Sequence, residues 1–257
     1  PNEIICLDAN TGKAVWNHSF TTTDVFGAEK AAKIEVDLKQ AEELQQQSRE
    51  LRKQQRELKK NDNTPKEKLE QLDLKMRALK DKIKELTKYS GSVRGANGNT
   101  TATPVCDGKN IVTVFGNGVV TSYSVEGKKN WIQFVEAAQL GFGHSASPVI
   151  ADGKVIVHFS DLVVLDMKTG REVWRSKVQA RHGSAIVAKI GKVAVVVTPS
   201  GSVVRATDGE ILANKLFRLG HSSPILHEDV IYAMPDGKIV ALNLPQSAEA
   251  NSEWKLK

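Results

Sequence analysis

Residues Val163 to Trp174 read VVLDMKTGREVW and combine the features of a β-hairpin. An apolar run ends at Asp166, Thr169-Gly170 supplies the turn, and the chain returns to the large aromatic side chain of Trp174. Glycine fits such a turn because it adopts the left-handed backbone conformation that other residues avoid. One hairpin does not determine a fold, but this one recurs along the chain.

The same pattern occurs near the start of the chain, where Asp8, Thr11 and Gly12 lead to Trp16 with identical spacing. Degenerate copies follow at Glu126-Gly127 with Trp131, at Asp208-Gly209 with Ala213, and at Ala241 to Asn243 with Trp254. Self-similarity with a period of about 40 residues is typical of propellers and solenoids.

A second element keeps phase with the first and precedes alternating apolar runs. Its copies are Thr103-Pro104-Val105, Ser147-Pro148-Val149, Ala185-Ile186-Val187 and Ser223-Pro224-Ile225. Each unit therefore contains about four short strands, which is one blade of a propeller. The sequence predicts an all-β fold, a β-propeller with about four to five four-stranded blades, as part of a larger ring completed by more chain or by other copies.

The pattern resembles the pyrroloquinoline-quinone-type, or quinoprotein-like, propeller repeat, whose hallmark is Ala-x-Asp-x-x-Thr-Gly-x-x-x-Trp. The resemblance covers nearly everything except residues 28–90. It implies that the tryptophans dock against neighbouring blades and that the hallmark residues are structural: Asp8, Gly12, Trp16, Trp131, Asp166, Gly170 and Trp174. The repeat is a specific indicator of the fold, but it says little about activity, since many members of the family bind no quinone.

Residues 28–90 differ from the blades, which occupy 1–27 and 91–257. Lys, Glu, Gln, Leu and Ala dominate, and these residues favour helix. Leucines recur every seven residues in the first half, and apolar residues alternate at spacings of three and four in the second, at Leu69, Leu72, Met76, Leu79, Ile83 and Leu86. This spacing is the seam of a coiled coil. We expect two antiparallel helices joined by a short turn, with Thr64 as N-cap of the second.

The hairpin follows the last strand of one blade and precedes the first strand of the next. In the resembling family, such connections lie on the face where the central channel opens as a funnel. The insertion is therefore either a self-contained spike or an arm that contacts a protein partner or mediates oligomerisation.

Composition narrows the function classes. The net charge of +6 is spread over the chain, and much of it is interleaved with acidic residues in the insertion, which argues against nucleic-acid binding. No apolar run is long enough for a transmembrane segment. Cys6 and Cys106 are predicted to be buried free thiols, with a disulfide between them as the alternative, and no zinc spacing exists.

Three histidines recur in phase where the chain enters a blade, at His144, His182 and His221, with Asn99 near this position in the preceding blade. Propeller symmetry projects them toward the channel mouth. They form a candidate ligand-binding site with Arg181. Arg181 beside His182 and Arg218 near His221 favour an anion; the alternatives are a metal and simple hydrogen bonds to the local turns.

Three functional hypotheses follow. The first is a non-enzymatic scaffold that binds a protein partner through the hairpin or the funnel face; by resemblance it is bacterial and periplasmic or otherwise in the cell envelope. A member of the family that assists outer-membrane barrel assembly supports this class, although that member lacks a coiled coil. The second is a fragment of a pyrroloquinoline-quinone dehydrogenase holding calcium, for which no catalytic residues are identified here. The third is a structural protein that oligomerises through the hairpin.

Overall fold

The computed structural model describes residues 2–60, 65–90, 98, 100–137, 143–249 and 253–256. The chain divides into two compact units, one formed by 1–21 with 91–257 and the other by 22–90. We call them the propeller unit and the helical unit. Thr64 and the proposed site position at Asn99 lie outside the described residues. The predicted cap was nevertheless wrong by one residue, because the second long helix begins at Lys66 and Pro65 is its N-cap.

The propeller unit consists of antiparallel sheets whose strands follow one another in chain order. A two-stranded sheet is formed by β1 (Asn2–Leu7) and β2 (Ala14–Phe20). Four four-stranded sheets follow: β3 (Val105–Cys106), β4 (Asn110–Val114), β5 (Val119–Ser124) and β6 (Lys129–Phe134); β7 (Val149–Ala151), β8 (Lys154–His158), β9 (Leu162–Asp166) and β10 (Glu172–Ser176); β11 (Ile186–Ile190), β12 (Val193–Val197), β13 (Val203–Arg205) and β14 (Ile211–Ala213); β15 (Ile225–His227), β16 (Val230–Ala233), β17 (Val240–Asn243) and β18 (Lys255–Leu256). This arrangement confirms the predicted propeller blades.

The hairpin that defines the repeat joins the third and fourth strands of a blade. Asp166 Oδ1 accepts hydrogen bonds from Thr169 N at 2.8 Å and Thr169 Oγ1 at 2.7 Å, and Gly170 closes the turn with φ 70°. Asp8 accepts the same pair from Thr11, at 2.8 Å and 2.7 Å. Donation by the threonine hydroxyl holds the pKa of both carboxyls below the usual value. The motif residues therefore fix the turn locally.

The core of the propeller unit lies between successive sheets rather than inside any one of them. Alternate residues of a strand point to opposite faces of its sheet. Val163 and Leu165 of β9 accordingly pack against the preceding sheet, whereas Leu162 and Val164 pack against the following one. A third apolar cluster joins the last two sheets. The sheets are therefore stacked face to face, and burying each such side chain contributes about 1.5–3 kcal/mol.

The first strands of neighbouring four-stranded sheets are adjacent, and a series of hydrogen bonds links the residues that precede them. Thr103 N donates to Ser147 Oγ at 2.9 Å, Ser147 N to Ser184 Oγ at 2.8 Å, and Ser184 N to Ser223 Oγ at 2.8 Å. Ser184 therefore takes the position that the sequence pattern assigned to Ala185. The assignment was wrong by one residue because Ala185 stands where the other blades have proline.

The helical unit contains α1 (Thr22–Phe26), α2 (Ala28–Lys59) and α3 (Lys66–Leu86). A short connection joins the end of α2 to the start of α3, and Gln55 Nε2 near the end of α2 donates to Asp73 Oδ1 in the first half of α3 at 2.7 Å. The two helices therefore run antiparallel as a hairpin, as the sequence predicted. At 1.5 Å per residue they extend about 48 Å and about 32 Å. No described helix combines the length and the apolar character needed to cross a membrane.

The two cysteines are free, but the expected burial was wrong. Cys106 is exposed and Cys6 is partly exposed. Cys106 ends the two-residue strand β3 and is followed directly by the turn at Asp107-Gly108, which brings it to the surface.

Candidate functional site

Three tryptophans join neighbouring blades. Their indole N–H groups donate to backbone oxygens of the following sheet, in the pairs Trp16–Val125 at 3.0 Å, Trp131–Met167 at 2.8 Å and Trp174–Ala206 at 3.1 Å. Each ring covers the turn glycine of that sheet: a Cβ on Gly127, Gly170 or Gly209 would lie 2.7, 2.6 or 2.8 Å from it. Only glycine satisfies both the close approach and the positive φ of these turns.

The last two copies of the repeat depart from this scheme. Ala213 pairs with Val203, so a small side chain occupies the tryptophan position. Trp254 precedes β18, where Asn243 pairs with Lys255, and its ring packs on the apolar cluster between the last two sheets. Its position therefore differs from that of Trp174, which the forty-residue spacing did not anticipate.

The predicted ligand residues lie in the connections that enter the third, fourth and fifth sheets. His144 lies in the β6–β7 connection, Arg181 and His182 in the β10–β11 connection, and His221 in the β14–β15 connection. Because the strands of a blade alternate in direction, these connections share one end of the sheets with the turns between second and third strands. We call this end the connection face.

His144 is buried beside Phe159, with the ring centroids 4.5 Å apart. Neither ring nitrogen of His144 has a hydrogen-bond partner in the described part of the chain. Burial lowers the pKa of His144 to about 4, and the nearby His158 and His182 add to the effect. The imidazole is therefore neutral at physiological pH.

His182 and His221 stack against each other with centroids 4.8 Å apart and an interplanar angle of 12°. Partial burial lowers the pKa of His182, and so do the adjacent His221 and Arg181. The structure thus brings two of the three histidines into contact and places the third in the core. Among the described residues no group of three His, Cys, Asp or Glu side chains is arranged to hold a metal ion.

Arg181 lines a separate cavity on the connection face, which we call the basic cavity. Its volume is about 700 Å³, and residues from the fourth and fifth sheets and their connections form its walls. Four cationic side chains line it, together with one carboxylate: Lys177, Arg181, Lys215, Arg218 and Asp236. All three histidines are described, and none lines this cavity.

The guanidinium of Arg181 is incompletely paired. Its Nη2 donates to Gln179 Oε1 at 3.0 Å, but its Nε is buried without a hydrogen-bond partner in the described part of the chain. An unpaired buried donor costs about 1–3 kcal/mol, and more when it is charged. Any hydrogen-bond acceptor would satisfy this donor, and an anion would in addition neutralise the charge of the guanidinium.

The sequence contained a further signal for this cavity in two lysines. Lys177 lies four residues before Arg181 in one connection, and Lys215 lies three residues before Arg218 in the next, so each connection carries one lysine and one arginine. The hydroxyls of Ser200 and Ser202, from the turn between β12 and β13, had no such signal.

Taken together, the stacked four-stranded sheets and the tryptophan docking define a β-propeller built of quinoprotein-like repeats. Residues 86–214, half of the chain, match the family described as "Outer membrane protein assembly factor BamB". The chain belongs to this family.

Solved structures with similar folds include BamB from Moraxella catarrhalis and the computationally designed Ika8 protein. The first is 17% identical with a TM-score of 0.43, over 55% of this chain and 43% of that chain. The second is 14% identical with a TM-score of 0.39, over 60% of this chain and 48% of the designed one. The chain therefore spans less than half of either structure. A comparison with curated proteins found no match.

Proposed function

We propose that the chain is a protein-binding scaffold of the bacterial cell envelope whose helical hairpin docks a protein partner. The family description names an outer membrane assembly factor, which supports the class and the compartment. Fractionation of cells that produce the full chain tests the compartment. Recovery with cytosolic markers would contradict it.

The observation that carries the proposal is the half-buried seam of the hairpin. Leu72 is buried against α2, but the other five seam residues of α3 keep part of their surface exposed: Leu69, Met76, Leu79, Ile83 and Leu86. In α2, Leu51 and Leu58 are likewise only partly covered. In a two-helix hairpin each helix covers the seam of the other from one side only, so the seam stays partly exposed. A partly exposed apolar stripe is typical of an interaction surface.

Photo-crosslinking tests this docking surface directly. A photoreactive residue is placed at Lys75 or Lys82, which flank the seam, and at Asp81, which lies on the opposite face of α3. We expect one adduct of defined mass from the two flanking positions and none from Asp81. Identical adducts from all three positions, or none from any, would contradict the proposal. An adduct of twice the chain's mass would instead show that the hairpin binds a second copy.

The quinone-dehydrogenase alternative has less support from the connection face. Calcium is bound by carboxylate and carbonyl oxygens. The basic cavity offers one carboxylate, Asp236, among four cations, so its donor set does not fit that ion. A bound absorption band after addition of the quinone and calcium would favour the enzyme.

A further inference from the structure

We propose that the basic cavity binds an acidic peptide segment, anchored by the guanidinium of Arg181. The inference rests on the proposed function, because the segment would belong to the protein partner. It concerns the propeller unit alone.

The first argument is the contrast between Arg181 and the other two partly buried arginines of these blades, Arg175 and Arg205. Arg175 contacts the carboxylates of Glu136, Asp161 and Glu172, and Arg205 contacts those of Asp208 and Glu210. In the described part of the chain, Arg181 meets only the neutral side-chain oxygen of Gln179. A partly buried guanidinium without a counter-ion attracts a carboxylate, which it can bind through two parallel hydrogen bonds.

The second argument is that donors and cations outnumber carboxylates in the described lining, where Asp236 supplies one carboxylate against four cationic side chains. Asn214 Oδ1 accepts hydrogen bonds from Ser202 Oγ at 2.8 Å and Lys215 N at 2.9 Å, which leaves the amide N–H groups of Asn214 as donors. Lys177, Lys215 and Arg218 add positive charge from two connections. The cavity therefore presents donors and cations from several directions.

The size and the apolar part of the lining favour a peptide over a free inorganic anion. A volume of about 700 Å³ lies within the range of ligand sites and greatly exceeds that of one phosphate. Val178, Ile211 and Phe217 also line the cavity, and they suit the aliphatic part of glutamate side chains. Several consecutive residues with acidic side chains match this combination.

The test measures binding of a dye-labelled peptide that alternates Glu and Ser to the full chain by fluorescence anisotropy. A peptide that alternates Gln and Ser is the control. We expect binding of the acidic peptide only, weakened by raising NaCl from about 50 mM to about 500 mM. Equal binding of both peptides would overturn the proposal.

Variants locate the site. Arg181→Met should weaken binding at least about tenfold, because it removes the anchoring charge from a partly buried position. Lys215 has φ 59°, a conformation that asparagine tolerates, so Lys215→Asn removes a charge without backbone strain and should weaken binding by about threefold. Lys192→Gln, in the turn between β11 and β12 at the opposite end of the sheet, should change it less than about twofold.

Two outcomes would overturn the assignment. One is that Arg181→Met and Lys215→Asn bind the acidic peptide as the parent does. The other is that inorganic phosphate, compared with chloride at equal ionic strength, displaces the peptide completely, which would indicate a site for a small anion. Peptide binding to the basic cavity is measured independently of crosslinking at the hairpin. A negative crosslinking result would therefore contradict the proposed docking surface of the hairpin without contradicting the peptide site.

Discussion

Gly170 occupies a position where two independent constraints meet. Its φ of 70° is in the left-handed region, and the ring of Trp131 lies where a Cβ would be. Gly153 has nearly the same φ, 68°, but nothing lies within 4 Å of its Cβ position. The two glycines therefore separate backbone strain from tryptophan docking.

We predict that Gly170→Ala destabilises the propeller unit more than Gly153→Ala does. Each substitution costs about 1–2 kcal/mol of strain, and overpacking against Trp131 adds about 1–3 kcal/mol for Gly170. Urea unfolding followed by tryptophan fluorescence measures both. Equal losses would mean that the ring moves aside and contributes little to the contact between blades.

His144 makes stability depend on pH. Its pKa is about 4 when folded and near 6.5 when unfolded, so the unfolded chain binds more protons between these values. Stability conferred by the neutral ring is complete above pH 6.5 and is lost as the pH falls toward 4. The loss reaches about 1.4 kcal/mol per pH unit within that window.

We therefore expect His144→Leu to reduce this acid sensitivity. At pH 7.5 the variant should be as stable as the parent or more so, because it removes two buried nitrogens that lack partners. Denaturant unfolding at several pH values tests this, with His227→Gln at an exposed position as control. His158 is buried too, and its lowered pKa will leave part of the slope in place. An unchanged pH profile in the leucine variant would contradict the interpretation.

At the scale of the element, the sequence predicts well what depends on short-range spacing. Asp166, Thr169 and Gly170 interact within five residues, so the pattern contains the geometry of the turn. Short-range spacing does not predict contacts between blades, and Ser184 is an example. Its equivalence to Ser147 and Ser223 is defined by hydrogen bonds between blades. The predicted equivalence of Trp254 to the docking tryptophans is wrong for a similar reason. Its position depends on the register between β17 and β18 and not on the forty-residue spacing alone.

The hairpin offers a matched test of its seam. Leu72 and Leu74 belong to the same helix, but their exposed fractions are 8% and 64%. Leu72→Ala should destabilise the helical unit by about 2 kcal/mol or more, whereas Leu74→Ala should change little. Hydrogen exchange of the α2 and α3 amides in the full chain resolves the difference. Similar effects of the two substitutions would show that the seam does not hold the helices together.

At the scale of the whole molecule, the sequence does not predict how side chains from distant segments of the chain come together. The basic cavity is lined from the β10–β11 connection, the β12–β13 turn, the β14–β15 connection and the β16–β17 turn. The repeat predicts that these segments share one face, and it pointed to Arg181. It does not predict which side chains converge, since that depends on how two stacked sheets are displaced and twisted relative to each other.

The propeller unit buries apolar side chains between successive sheets, but several at its last sheet are uncovered. Ile225 in β15 and Met234 and Ile239 in the β16–β17 turn are exposed, Ile239 by 78%, whereas Val163 and Val203 in the middle sheets are fully buried. Exposed apolar surface of this kind drives association.

We predict that the chain self-associates reversibly between about 1 and about 50 µM and that Ile239→Lys shifts the equilibrium toward the monomer. Val36, 66% exposed on α2, gives the matched control Val36→Lys. Sedimentation velocity decides between the two surfaces: a loss of association in the Val36 variant alone would place the contact on the helical unit rather than on the last sheet.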